Sequence, residues 1–155
     1  MSIKVFEKAQ GDPQSQFKGC AKEIEVYRSL KCENIVKFYT ALHTENHIYV
    51  ITEFCEGGDF EKYIFDKGKL PEQEAIGFLS QLVRGYQDLY SKNIVHRDLK
   101  PSNLLLKNGV LKISDFGLAK CLDQRCQAMT SFLGSPLYMS PQILQNEKYT
   151  ISTDV

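Results

Sequence analysis

A tight hairpin in the second half of the sequence constrains the fold more than any other feature. Two short apolar runs, 104–106 and 110–113, flank the dipeptide Asn108-Gly109. This dipeptide is a strong signal for a two-residue β-turn, because both of its positions accept a positive φ. The hairpin lies between Asn103 and Asp115. Antiparallel pairing brings its two outer ends together, so we expect these two polar side chains to converge.

The segments that flank the hairpin add a recognisable chemistry. Residues 96–103 read His-Arg-Asp-Leu-Lys-Pro-Ser-Asn, and Asp115 begins the tripeptide Asp-Phe-Gly. Asp115 and Asn103 offer the hard oxygen ligands that Mg²⁺ takes together with substrate phosphates. Asp98 is predicted to orient an attacking hydroxyl and accept its proton, and Lys100 to steady a γ-phosphate. The sequence therefore predicts phosphoryl transfer through positioning and electrostatic stabilisation.

The composition argues against several other classes of protein. A chain of 155 residues is long enough for one domain with a buried core. Its 19 basic and 19 acidic residues balance, which argues against nucleic acid or an anionic membrane as the main partner. We expect neither a transmembrane segment nor a signal peptide. Five cysteines without a Cys-x-x-Cys pair favour a reducing compartment, and we expect a cytoplasmic protein.

Hydrophobic periodicity predicts both helices and strands. Residues 23–30, and a longer stretch that opens at Pro71, have apolar side chains at helical spacing. Residues 48–54 are β-branched and aromatic, which predicts a buried strand that stops before Gly57. One face of the longer helix is expected to lie in the core, and its members are Ala75, Ile76, Leu79, Leu82, Val83, Tyr86, Leu89 and Tyr90.

These segments, in this order, resemble the catalytic domain of eukaryotic protein kinases of the serine/threonine type. Residues 1–4 are similar to the V-A-I-K strand, and residues 32–36 to the x-x-N-I-V segment of that family. Residues 134–142 resemble the segment that ends in A-P-E, and Asp154-Val155 the start of D-V-W-S. The resemblance implies an α+β, protein-kinase-like fold of two lobes, incomplete in this chain, with ATP and Mg²⁺ between the lobes.

The resemblance also implies that the chain divides between two lobes and that the domain is incomplete. Residues 1–55 would form part of the small lobe and the hinge, and residues 56–155 the start of the large lobe. The glycine-rich loop that precedes Lys4 in the family is absent, and the sequence stops two residues into D-V-W-S. We therefore expect a fragment, or a truncated gene model, of a longer kinase. Alone, it is expected to be poorly stable and weakly active.

Several nucleotide-binding residues are implied by the resemblance. Lys4 would hold the α- and β-phosphates, and a helix glutamate that pairs with it falls at Glu23. In the hinge, which follows Thr52 at the gatekeeper position, backbone groups of Glu53 and Cys55 would bind adenine.

Two further residues complete this set. Leu105 corresponds to the apolar residue under the adenine ring. Asp59 matches the acidic residue near the ribose, although aspartate is also favoured as the cap of the helix that follows. Both interpretations of Asp59 stay open.

Three aromatic rings and one carboxylate have structural roles in the family. His96, Phe116 and Tyr27 fall where the family stacks side chains to align the two lobes. Asp154 corresponds to the aspartate that braces the backbone of the His96 loop.

Substrate class and regulation are implied in the same way. Lys100 together with Ser135 implies serine and threonine residues of proteins as substrates. Residues 55–59 and 134–139 resemble the autophagy-initiating (uncoordinated-type) kinases most, and the NIMA-related kinases next. Arg97, directly before Asp98, marks kinases that are switched by activation-loop phosphorylation. Ser131, or the adjacent Thr130, is the hypothesised switch, under an upstream kinase or a regulatory subunit.

The competing hypothesis is a catalytically inactive, kinase-like fragment that acts as a binding or scaffold module. The incompleteness of the domain favours it. Inactive relatives usually lose a catalytic residue, however, whereas this chain keeps the four expected ones, namely Lys4, Asp98, Asn103 and Asp115.

Overall fold

An antiparallel sheet and a long helix form the first part of the fold. The elements are β1 (Ser2–Glu7), α1 (Pro13–Ser29), β2 (Phe38–His43) and β3 (His47–Thr52). The sheet order is β1-β3-β2, and Ile24 of α1 packs on Ile48 and Val50 of β3. The computed structural model describes residues 1–7, 13–122 and 129–154, and for residues 13–19 the backbone alone.

Helices and short strands make up the second part. The elements are α2 (Phe60–Lys67), α3 (Glu72–Ser91), β4 (Ile94–Val95), β5 (Leu104–Lys107), β6 (Val110–Ile113), β7 (Lys120–Cys121) and α4 (Pro141–Leu144). Strand β4 pairs with β7, and β5 with β6. Three short 3₁₀ turns occupy Pro101–Asn103, Pro136–Tyr138 and Ile151–Asp154. The mixed α+β class predicted from the sequence is confirmed.

The β5–β6 hairpin forms as the sequence predicts. Leu104 faces Ile113, and Lys107 faces Val110 across the turn. Asn108 and Gly109 have φ values of 50° and 78°, the left-handed backbone of a type I′ turn. Turn chemistry alone fixes this register, which brings Asn103 and Asp115 to the same end of the hairpin.

Two predicted boundaries and one predicted core face differ from the structure. Helix α1 begins at Pro13, before the predicted stretch at residue 23, and Cys20 also packs on the sheet, although a single small apolar residue does not extend the helical pattern. Strand β3 ends at Thr52 rather than at residue 54, and the Phe54 ring is exposed. On α3, Leu89 is buried, but part of the predicted apolar face is exposed, namely Ile76, Leu79, Val83 and Tyr90. Among the described residues, the β5–β6 hairpin and β4 cover one side of this helix only.

A continuous core joins both parts of the fold. Val36 and Ile35, which follow α1, pack with Leu111 and Ile113 of β6 and with Leu89 of α3. A separate cluster joins β4 to residues 129–149 and contains Val95, Met129, Ile143 and Tyr149. None of the helices in the described part of the chain has the length and apolar character needed to cross a membrane.

Candidate active site

A cleft between the sheet and the β5–β6 hairpin collects several of the predicted site residues. Its volume is about 280 Å³, and its lining includes Lys4, Glu23, Thr52, Glu53, Cys55, Leu105 and Asp115. A larger hollow of about 720 Å³ is lined by the end of α1, the following turn and β2. Of the predicted site residues, Glu53 is part of the lining of that hollow. The smaller cleft is the candidate site, because it brings Lys4 together with two carboxylates.

Lys4 joins two carboxylates that are distant from each other in the sequence. Its Nζ lies 2.9 Å from Glu23 Oε1 and 2.8 Å from Asp115 Oδ1. Strand β1 places Lys4 opposite Val50 of β3, on which α1 also packs, so the sheet positions lysine and helix glutamate together. The Glu23 side chain is 2% exposed, whereas those of Lys4 and Asp115 are 45% and 51% exposed.

The three charges of this group are stabilised unequally. Burial by itself lowers the pKa of Lys4, but the hydrogen bond to Asp115 and the charge of Glu23 outweigh it, and the pKa is raised. Burial also raises the pKa of Glu23, and Lys4 offsets this only in part. For Asp115 the effect of burial is outweighed by Lys4, so its pKa is lowered. The contact thus stabilises the charged forms of Lys4 and Asp115. As the pH falls, the buried Glu23 is the first of the two carboxylates to protonate.

Asp98 lies at the centre of a second charged group. Asn103 Nδ2 donates to Asp98 Oδ2 at 2.9 Å, and Lys100 Nζ lies 3.0 Å from the same oxygen. Ser135 donates to Asp98 Oδ1 through its amide at 2.9 Å and its hydroxyl at 2.8 Å. Burial by itself raises the pKa of Asp98, but the hydrogen bonds from Ser135, Lys100 and Asn103 outweigh it. The lowered pKa keeps Asp98 ionised at neutral pH.

Ser135 is a site residue that the sequence indicates only as a marker of substrate class. It also accepts a hydrogen bond from Lys100 Nζ at 2.6 Å, so it joins two predicted catalytic residues. The preceding Gly134 has a φ of 117°, and a Cβ there would collide with the carbonyl oxygen of Arg97. A glycine directly before a serine, near the start of a turn, is the signal that marks such a close approach.

The backbone of the His96 loop is held by Asp154, as the resemblance implies. Its two carboxylate oxygens accept hydrogen bonds from His96 N at 2.6 Å and Arg97 N at 2.8 Å. Burial raises the pKa of Asp154 and lowers that of the fully buried His96, which therefore stays neutral. His96 Nε2 lies 2.9 Å from the Ser114 carbonyl, and Nδ1 accepts from Asp98 N at 3.3 Å. One neutral tautomer satisfies both contacts.

Three aromatic rings in mutual contact connect α1 to this loop. The Tyr27 and Phe116 rings meet edge to face at 4.8 Å, and the Phe116 and His96 rings lie 5.2 Å apart. Phe116 is 1% exposed. The aromatic column that the resemblance implies is therefore present, and it fixes the position of Asp115 next to Phe116.

The chemistry of the hairpin end suits a divalent cation. Ser114 donates to the Asn103 carbonyl from its amide and its hydroxyl, which holds Asn103 beside the backbone of Asp115. Asn103 donates a hydrogen bond from Nδ2 to Asp98, so its side-chain amide oxygen is the atom that can bind a metal. No group of three or more His, Cys, Asp or Glu ligands occurs in the described ranges. One carboxylate and one amide fit a Mg²⁺ ion that is also bound by phosphates.

The hinge residues are placed at the cleft, but the Glu53 side chain has a separate partner set. Its carboxylate lies 2.9 Å from Lys107 Nζ and 3.0 Å from Lys112 Nζ, and accepts from Lys37 N at 2.7 Å. Burial by itself raises the pKa of Glu53, yet these partners outweigh it and the pKa is lowered. The hinge is thus tied to both strands of the hairpin. Burial raises the pKa of the Cys55 thiol, which stays protonated.

Asp59 and Leu105 are adjacent but differ in what they contact. Asp59 is the N-cap of α2 and accepts from Lys62 N at 2.8 Å. It also forms an isolated bridge with Leu105, whose half-buried side chain lines the cleft. The capping interpretation of Asp59 is thus seen directly, and a contact with ribose stays a prediction.

The candidate regulatory residues lie on the segment after residue 128. Thr130 is exposed, and Ser131 is partly buried, with its carbonyl accepting from Tyr149 at 2.7 Å. Arg97 has a φ of 67°, and its Nε donates to the Leu118 carbonyl at 2.7 Å. A contact between Arg97 and either hydroxyl is not seen among the described residues, so a phosphate-dependent contact stays a prediction.

Comparison with known proteins agrees with this geometry. The chain belongs to the protein kinase family, whose domain it matches over residues 1–155. It is 45% identical over 138 residues to "Serine/threonine-protein kinase ATG1a" of Arabidopsis thaliana and 48% identical over 140 residues to "Serine/threonine-protein kinase atg1" of Dictyostelium discoideum. It is 38% identical over 144 residues to "Serine/threonine-protein kinase ULK1" of Homo sapiens.

Each of these three matches covers 86% of the chain. The chain spans between 14% and 22% of the length of these relatives. The resemblance to serine/threonine kinases that the sequence motifs indicated is confirmed. Members of the family use ATP and Mg²⁺ as a rule.

Proposed function

We propose that the chain is the catalytic part of a serine/threonine protein kinase that transfers the γ-phosphoryl group of ATP to a hydroxyl of a protein. The observation that supports this most is the pair of charged groups at one end of the β5–β6 hairpin. One contains Lys4, Glu23 and Asp115, and the other contains Asp98, Lys100 and Asn103.

Asp98 is the residue proposed to orient the acceptor hydroxyl and take its proton. Its lowered pKa makes it a weak base. A weak base suits a loose transition state, in which the phosphoryl group is largely detached before the proton moves. Lys100, 3.0 Å from Asp98, supplies positive charge to the γ-phosphate at the same place. Ser135 holds both side chains in register.

The nucleotide is proposed to lie in the cleft, with its phosphates towards Lys4. Asp115 and Asn103 would hold Mg²⁺, which neutralises charge on the phosphate oxygens when it is bound. Lys4, held by Glu23, would bind the α- and β-phosphates. Backbone groups of Glu53 and Cys55 would bind adenine, and Leu105 would contact the ring.

A phosphotransfer assay tests the proposal. Transfer of labelled phosphate from ATP to casein should require Mg²⁺, and Asp115→Ala should lower it by at least about 100-fold, because a metal ligand is lost. Asp66→Asn is the matched control, since Asp66 is an exposed partner of Lys62 on α2. An undiminished rate for Asp115→Ala would overturn the proposal. Binding of casein without transfer by the unmodified chain would favour the scaffold alternative.

Regulation and location are proposed on more limited observations. Phosphorylation of Thr130 or Ser131 by an upstream kinase would supply an anion for Arg97, and the exposure of Thr130 makes it accessible. The described cysteines are free thiols, as expected for a cytoplasmic protein. Phosphosite mapping of active protein that finds both hydroxyls unmodified would remove the regulatory proposal.

A further inference from the structure

Two backbone amides that follow α1 are bound by one carboxylate of α3. Asp88 Oδ2 accepts from Lys31 N at 3.0 Å and from Cys32 N at 3.2 Å. Its other oxygen, Oδ1, is paired with Lys92, the residue that follows α3. Because α1 ends at Ser29, these amides belong to the first residues after the helix. The carboxylate therefore links the end of α1 directly to α3.

The same turn is also in contact with the hairpin that leads to Asp115. Ile113 N donates to the Asn34 carbonyl, and Val36 N donates to the Ile113 carbonyl, both at 2.9 Å. A Cβ at Gly85 of α3 would lie 2.8 Å from the Asn34 carbonyl oxygen, so the helix approaches the turn closely. The segment after α1 is thus the place where the first part of the fold is fixed to the second.

Asp88 is well suited to hold this turn. Burial by itself raises the pKa of its carboxyl, but the hydrogen bond from Lys92 and those from the two amides outweigh it, and the pKa is lowered. Asp88 is therefore ionised at neutral pH, and hydrogen bonds to a charged acceptor are stronger than those between neutral groups. Its side chain is 20% exposed, so water competes only in part.

The orientation of α1 decides where Glu23 lies. Tyr27, one turn after Glu23, packs edge to face on Phe116, and the end of the helix is held by Asp88 two residues beyond Ser29. A rotation of α1 about this end would move Glu23 away from Lys4, from which it is 2.9 Å distant. Asp88 lies outside the short sequence motifs that indicated the kinase resemblance.

We propose that Asp88 is a positioning residue for the nucleotide: it fixes the end of α1 against α3 and thereby keeps Glu23 in contact with Lys4. The inference rests on the proposed function, because the Lys4–Glu23 contact affects activity only where the cleft binds Mg²⁺-ATP. It adds a residue of α3 to the set that determines nucleotide affinity.

The test is a double-mutant cycle on Mg²⁺-ATP affinity, measured by calorimetry. Asp88→Asn keeps the size of the side chain and should weaken binding about tenfold, which corresponds to about 1.4 kcal/mol. Asp66→Asn, in an i,i+4 lysine pair on α2, is the control and should stay within about twofold of the unmodified chain. In a Glu23→Gln background, Asp88→Asn should add less than about twofold, because the two residues act through one contact. A full tenfold loss in that background, or no loss in either, would overturn the proposal.

Amide hydrogen exchange gives a second test that needs no nucleotide. Asp88→Asn should speed exchange at Lys31, Cys32 and the last turn of α1, and leave the amides of α2 unchanged. Unchanged exchange at the end of α1 would contradict the positioning role by itself. Failure of the unmodified chain to bind Mg²⁺-ATP would instead contradict the proposed function, so the two can fail separately.

Discussion

The two charged groups of the site are fixed by different kinds of contact. The loop that carries Asp98 is held through its backbone: Asp154 accepts from the amides of His96 and Arg97, and Ser114 donates to the Asn103 carbonyl. Around Lys4, two ion pairs connect side chains, and both Lys4 and Asp115 are about half exposed. Exposed ion pairs contribute little and rearrange readily. We therefore expect the group around Asp98, on the proposed acceptor side, to be preformed, and the group around Lys4, on the proposed nucleotide side, to be adjustable.

The largest expected effect separates catalysis from binding. Asp98→Asn should lower kcat by about 10³-fold, because the proton acceptor and the orienting charge are lost, and leave Mg²⁺-ATP affinity within about twofold. Lys4→Met should instead weaken Mg²⁺-ATP binding by about tenfold or more, because a phosphate contact is lost. Steady-state kinetics and calorimetry measure the two quantities. An equal loss of affinity in both variants would contradict the division between the two sides.

An intermediate effect is expected on the free energy of unfolding. Asp154→Ala leaves the amides of His96 and Arg97 without their acceptor and should cost about 2 kcal/mol. Glu23→Gln should change stability by less than about 0.5 kcal/mol, since burial of the ionised carboxyl already opposes its ion pair. Urea denaturation of both variants measures the difference. A larger loss of unfolding free energy for Glu23→Gln than for Asp154→Ala would contradict the comparison, because the group around Lys4 would then be the more rigid of the two.

The smallest effect is a dependence of nucleotide binding on pH. The pKa of Glu23 is raised above the ordinary value of about 4.3, whereas those of Asp98 and Asp115 are lowered. Acidification therefore protonates Glu23 first and releases Lys4 from one partner, so Mg²⁺-ATP affinity should fall by less than about tenfold. With a raised pKa in the folded state, the contribution of Glu23 to stability decreases as the pH rises through this range.

Calorimetry across this pH range measures the effect. The step should be absent from Glu23→Gln, which has no carboxyl to protonate. A step of the same size in that variant would assign the titration to another group.

Local chemistry explains what the sequence predicts well. The Asn108-Gly109 turn needs two left-handed residues, and this requirement alone sets the hairpin and brings Asn103 and Asp115 to one end. The helix after Pro71 is equally local, since its periodicity extends over five turns. The lysine–glutamate contact and the Asp154 brace follow from the family resemblance rather than from local pattern.

Contacts between distant residues explain what the sequence does not predict. Glu53 finds Lys107 and Lys112 on a hairpin more than fifty residues away, and no spacing rule connects them. Leu79 of α3 is exposed and Leu89 is buried although both are leucines, so the residue type alone does not predict which of them is covered. In the sequence, Asp88 is likewise indistinguishable from any other charged residue of a helix. Only the structure shows that it accepts hydrogen bonds from the amides of Lys31 and Cys32.

The glycine at position 134 sets how closely the segment that carries Ser135 can approach the loop that carries Asp98. Because it has no side chain, its backbone lies directly against the Arg97 carbonyl. A single methyl group there would push the two segments apart and disturb the hydrogen bonds from Ser135 to Asp98. The contact between Ser135 and Asp98 thus depends on an atom that position 134 lacks.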